Sequence, residues 1–147
     1  MKKISILALH DGVGGAEKYI STLCLMLKDL YEIEVIFTYK SKDKVYDYPG
    51  AQITYLINDI SNREEFKNAL KSKKFFLTFK EGIKSVKLLY LKRKLNIKAI
   101  KNITSDYIIT TRAFHNKYVG KYAKKNIIKI ATEHNHHNNN TKYIKKT

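Results

Sequence analysis

The 147 residues include one cysteine, one proline and no tryptophan. With Cys24 alone, no internal disulfide can form, and a reducing, cytoplasmic setting fits. Long apolar runs are missing too. None approaches the roughly 18 residues of a membrane span. The opening Met1-Lys2-Lys3-Ile4 has the look of a signal peptide, but the apolar run behind it stops at His10-Asp11 after about six residues, short of a signal core. Acid is scarce: 13 acidic side chains face 29 basic ones, for a net charge of +16. Arginine is scarcer still, at Arg63, Arg93 and Arg112 only. Specific phosphate recognition favours the planar arginine fork, whereas lysine acts as a solvated point charge. The surplus charge therefore has two readings: attraction to a nucleic acid or lipid surface, or a lysine-rich composition that also favours Ile, Asn and Tyr.

What is present suffices for one domain. At 44% hydrophobic the chain can build a sizeable core. Residues 4–9 are a short β-branched and leucine run that reads as a buried strand. Ala16, Tyr19, Ile20, Leu23, Leu27 and Leu30 recur at helical spacing, with Cys24 and Met26 widening the apolar face, so Cys24 reads as core. Strands are expected over 32–39 (EIEVIFTY), 51–57 (AQITYLI), 106–112 (DYIITTR) and 127–132 (IIKIAT). Pro49-Gly50 marks a turn. The lysine-rich stretch 62–102 reads as two helices divided at Gly82, and 114–125 as another. Strands alternating with helices predict an α/β domain: a mostly parallel twisted sheet of about five or more strands with right-handed crossovers. Ligands of such sheets sit beyond the carboxyl ends of the strands.

The first strand ends in "LALHDGVGGAEK", residues 7–18. A strand, a glycine turn and a helix N-terminus make an anion site, because free N–H groups and the positive helix end point the same way. The nucleoside-triphosphate loop requires G-x-x-x-x-G-K-[ST], and the spacing fails here. The dinucleotide fingerprint requires G-x-G-x-x-G and an acid at the end of the second strand. Here the glycines run G-x-G-G and that strand ends Thr38-Tyr39-Lys40.

A third pattern fits. "HDGVGGAEKYISTLCLML" resembles the opening turn of family 4 retaining glycosyltransferases of the GT-B fold. "SDYII" (residues 105–109) stands where that family has a "PDIII"-type strand, and "ATEHN" (131–135) resembles its strand ending in a cleft histidine. The three landmarks come in family order across nearly the whole chain. The resemblance implies a Rossmann-like three-layer domain, one half of a GT-B fold. Residues 1–147 would be the N-terminal, acceptor-side domain, cut near its end, with the C-terminal nucleotide-sugar-binding domain absent and the fragment inactive alone. It further implies a bacterial, cytoplasmic, metal-independent transferase without a cofactor. That enzyme would move a sugar from a nucleotide-sugar donor to a polysaccharide or lipid-linked acceptor. By position, Gly14 and Gly15 approach donor phosphate or acceptor, and His134 is the catalytic cleft residue, steadying charge on an oxocarbenium-like centre.

Other residues fall near that cleft. His10 and Asp11 open the loop and face acceptor hydroxyls, unless Asp11 only caps the turn. Glu17 orients the turn or is a first-turn helix acid. Arg112 ends the fourth strand, toward an anionic acceptor or solvent. Glu133 and Asn135 flank His134. His115 reads as a surface residue at a helix start. His134, His136 and His137 lack zinc spacing, so no metal is expected. Phe75, Phe76, Leu77 and Phe79 among lysines suit an interfacial helix at the inner face of an anionic membrane or packing on protein. The rival to the transferase is a stand-alone basic α/β module for nucleic acid or phosphorylated ligands, with nucleic acid the less favoured partner.

Overall fold

The computed structural model describes residues 1–58, 63–72 and 75–132. Five strands form one sheet: β1 (Lys2–His10), β2 (Tyr31–Tyr39), β3 (Ala51–Ile57), β4 (Tyr107–Thr110) and β5 (Ile128–Ala131). Their order is β3-β2-β1-β4-β5 and every pairing is parallel. The helices are α1 (Gly15–Leu27), α2 (Arg63–Lys71), α3 (Phe75–Asn102) and α4 (Ala113–Tyr122).

The first strand shows why three layers form. Side chains alternate across a strand. Ile4, Ile6 and Ala8 join Ile20 and Cys24 of α1, with Ile33, Val35 and Phe37 of β2, in one core. Leu7 points the other way, to Ile36, Ile100, Ile108 and Val119 beneath α3 and α4. A strand covered on both faces reads as a near-continuous apolar run, which accounts for residues 4–9; the one polar member, Ser5, is buried and donates to Glu34. Cys24 is fully buried, and burial pushes its thiol up to about 11. It is core, as expected. The fold is the expected α/β, Rossmann-like sheet.

Two expectations need correction. The helix does not divide at Gly82: α3 runs 28 residues straight through it. A helical glycine costs only about 1 kcal/mol, and Leu88, Asn96 and Ile100 anchor the far half of α3 in the core. Nor does His115 lie at the surface; it is completely buried. The Pro49-Gly50 turn is as expected, with Gly50 at a φ of 70° and a Cβ there only 2.6 Å from that of Lys28.

Candidate functional site

The chain builds outward from β1 through β2 to β3, then returns to place β4 on the other side of β1. The strand order reverses between β1 and β4, and open parallel sheets bind ligands beyond the carboxyl ends at such a point. The ends that meet there are His10 and, after Thr110, Thr111 and Arg112. Each strand feeds a helix at once. Neither α1, capped by Gly14, nor α4, capped by Arg112, has a side-chain cap on its N-terminus. Two sets of free N–H groups and two positive helix ends therefore flank one crevice.

Three of the sequence candidates, far apart in the chain, come together here. The Glu17 carboxylate is buried, 1% exposed, with Oε1 3.4 Å from an Arg112 terminal nitrogen and 3.6 Å from His10 Nδ1. Gly12 N–H donates to that same His10 nitrogen at 3.2 Å. A ring nitrogen that accepts cannot also donate, so the 3.6 Å contact is not a hydrogen bond, and Arg112 is the cation that answers the carboxylate. Glu17 Oε2 and Arg112 Nε are buried without hydrogen-bond partners.

The two candidate glycines differ in purpose. A Cβ at Gly14 would lie 2.0 Å from Glu17 Oε2. Glycine is needed there because the buried carboxylate folds back under the turn. A Cβ at Gly15 would meet nothing within 4 Å. Gly14→Ala should therefore displace Glu17 and cost about 2 kcal/mol, the usual range for overpacking. Gly15→Ala should leave stability unchanged or higher by up to about 1 kcal/mol, since alanine is the better helix former. Urea unfolding of the two variants checks the pair; equal losses would contradict this account.

Asp11 does neither of the things expected of it. It is 1% exposed; Oδ1 accepts Ser41 N–H at 2.7 Å and Oδ2 accepts the Tyr55 hydroxyl at 2.5 Å. Burial would raise its pKa, but the bonds from Tyr55 and Ser41 outweigh that and hold the carboxyl below its ordinary range. Burial and the same bond push the Tyr55 phenol up to about 12. Asp11 thus straps the glycine loop to the loop after β2, through Ser41, and to β3 itself, through Tyr55, and its oxygens are taken by protein.

Sequence reasoning missed the polar cluster beneath the crevice. His115 Nε2 lies 3.1 Å from Asn96 Oδ1 and 3.3 Å from Thr38 Oγ1. Asn96 Nδ2 donates to the Lys92 carbonyl at 2.8 Å. Burial, then the charges of Lys92 and Arg112, push His115 down to about 3. Lys92, lowered by burial and by Arg112, lies 3.9 Å from the centre of the Phe114 ring. A signal was available: His115 stands four residues before Val119, on the apolar stripe of α4.

Asp106 of the "SDYII" stretch lies at the opposite end of the sheet, where it accepts Lys3 N–H at 2.8 Å and pins β4 to β1. β5 is joined to β4 through Thr132 N–H, 2.8 Å from the Thr110 carbonyl. Glu133, His134 and Asn135, which follow, lie outside the described residues. Among the described residues no group of three or more His, Cys, Asp or Glu could hold a metal ion.

The α/β, Rossmann-like fold matches that of a domain in a solved GT-B glycosyltransferase. Among solved structures the chain resembles "lipopolysaccharide outer core galactosyltransferase WaaB apo form", with a TM-score of 0.53 and 18% sequence identity. The match covers 90% of this chain and 33% of that one, so the chain spans about a third of the neighbour's length. At this identity the likeness is one of fold. No protein-family model and no curated protein sequence matches the chain. In an open parallel sheet the crevice at the β1/β4 switch is where a ligand would lie.

Proposed function

We propose that residues 1–147 are the N-terminal, acceptor-side half of a retaining, metal-independent glycosyltransferase, which moves a sugar from a nucleotide-sugar donor to a polysaccharide or lipid-linked acceptor. One observation carries the reading: Gly14-Gly15, His10, Glu17 and Arg112 converge at the β1/β4 switch point of a GT-B-type sheet. Gly15 leaves the approach to the α1 N–H groups open. Arg112 brings a guanidinium, with Lys92 near it, to meet an anionic group of the acceptor. Asp11 positions the loop. Glu17 holds Arg112 to the glycine turn, and the catalytic role falls to His134, with Glu133 and Asn135 as substrate-binding residues, on the sequence resemblance alone. A developing oxocarbenium ion is served by such placed dipoles without a metal.

The test is release of nucleoside diphosphate from a panel of UDP- and GDP-sugars by the full-length gene product. At least one donor should turn over, undiminished by EDTA, and His134→Ala should lower kcat about a hundredfold. No turnover of any donor, together with tight salt-dependent binding of single-stranded nucleic acid, would establish the rival basic module instead.

A further inference from the structure

The glycine-loop crevice leaves one large feature of the chain unused. We propose that the outward face of α3 docks the protein on an anionic lipid bilayer. At 100° per residue, Phe75, Val86, Phe79, Tyr90, Ile83 and Phe76 fall within about 100° of arc. They make a continuous apolar stripe along the first four turns. All six are exposed, from 57% at Ile83 to 87% at Phe75. Of the buried residues of the same helix, Leu88 lies opposite the stripe, and Asn96 and Ile100 enter the core only beyond the stripe's last residue. The stripe is therefore no part of the core. Phe79, Gly82, Ile83, Val86 and Tyr90 line an apolar groove.

Charge identifies the occupant. Lys80, Lys84 and Lys87, all exposed, occupy the arc beside the stripe. The whole helix carries seven lysines and one arginine against a single acid, Glu81. An apolar stripe with a cationic flank is the pattern of a helix lying in the headgroup region. Each lysine adds attraction to an anionic leaflet. Nucleic acid is the poorer fit, because Ile83 and Val86 at the centre of the stripe offer no ring on which a base could stack. Among the described residues no helix is long and apolar enough to cross a membrane, so α3 would lie on the surface.

The absence of tryptophan provides the probe. Phe79→Trp places a single indole on the stripe. Met26→Trp places one on α1, at a site equally exposed. With vesicles of phosphatidylcholine and phosphatidylglycerol, the Phe79→Trp emission should shift to the blue and be quenched by lipids brominated near the headgroup; Met26→Trp should not change. Vesicles of phosphatidylcholine alone should bind at least tenfold more weakly. Replacing Lys80, Lys84 and Lys87 by Gln should lower partition into anionic vesicles about a hundredfold. Replacing Phe79, Ile83 and Val86 by Ser should abolish it, with the circular dichroism spectrum unchanged because all three are exposed. Equal partition into both vesicle types would overturn the proposal, as would no partition at all. A concentration-dependent dimer lost in the triple serine variant would do the same, assigning the stripe to a second copy. Each outcome is independent of donor turnover, so this proposal and the transferase reading fail separately.

Discussion

Arg112→Ala is expected to destabilise the fold by about 2–3 kcal/mol, and Glu17→Gln introduced beside it to restore most of the loss. The argument begins with burial. Glu17 is 1% exposed, and the Arg112 side chain 24%. Removing one partner of a buried pair leaves a charge without compensation, which costs about 3–5 kcal/mol when both are fully enclosed. Partial exposure of Arg112 lets water reach the gap and lowers that figure. Glu17→Gln alone should be milder, about 1 kcal/mol, because the stranded guanidinium retains access to solvent. A double-mutant cycle by urea denaturation should therefore show a coupling above about 1 kcal/mol. Additive losses would mean that the 3.4 Å contact holds nothing together. If Arg112 also meets the acceptor, Arg112→Ala with Glu17→Gln should fold well yet bind acceptor poorly, which separates its two duties.

This pair also explains why a glycine turn can be read too simply. Gly14 and Gly15 look alike in the sequence, and the family resemblance treats both as ligand contacts. In the fold, Gly14 makes room for a carboxylate of the chain itself, and only Gly15 leaves open space. The distinction rests on where Glu17 points, which depends on Arg112, 95 residues away. Local pattern carries no such information. The strands were legible because each is a compact apolar or β-branched run bounded by polar loops, and all five lie close to where periodicity puts them. Their order was not legible, since any parallel order satisfies the same runs. Gly82 misled because propensity is a weak prior and tertiary packing overrides it. His115 misled for a related reason. Asn116 and Lys117 follow it in "RAFHNKY" and suggest solvent, but β4 delivers α4 onto the sheet with His115 and Val119 facing inward. Of the named site, His10, Gly14, Gly15, Glu17 and Arg112 are found at one crevice, and Asp11 became a strap. The sequence candidates at 133–135 lie beyond the described residues.

His115 should make stability depend on pH in a window where few other groups of the fold titrate. Its Nε2–H donates to Asn96 Oδ1, leaving Nδ1 buried without a partner. Burial disfavours the charged ring first, and a proton added at Nδ1 would also have no acceptor and face the charges of Lys92 and Arg112, so the folded-state pKa falls from 6.5 to about 3. The sign follows. Between those values the unfolded chain takes up a proton that the folded chain refuses, so stability drops as pH falls below about 6.5. The slope is about 1.4 kcal/mol per pH unit, which gives a loss of about 2 kcal/mol by pH 5. Asp11, whose pKa is lowered, loses its contribution only below the ordinary carboxylate range and so leaves this window clear. Every residue other than 115 is common to wild type and variant. The measurement is therefore a difference: urea midpoints at pH 7, 6 and 5 for the wild type and for His115→Gln, which keeps an amide donor for Asn96 without a titratable ring. The variant should be less stable at pH 7 and converge on the wild type by pH 5. Parallel curves would place the ring in contact with water, and the polar cluster beneath the crevice would then be wrong.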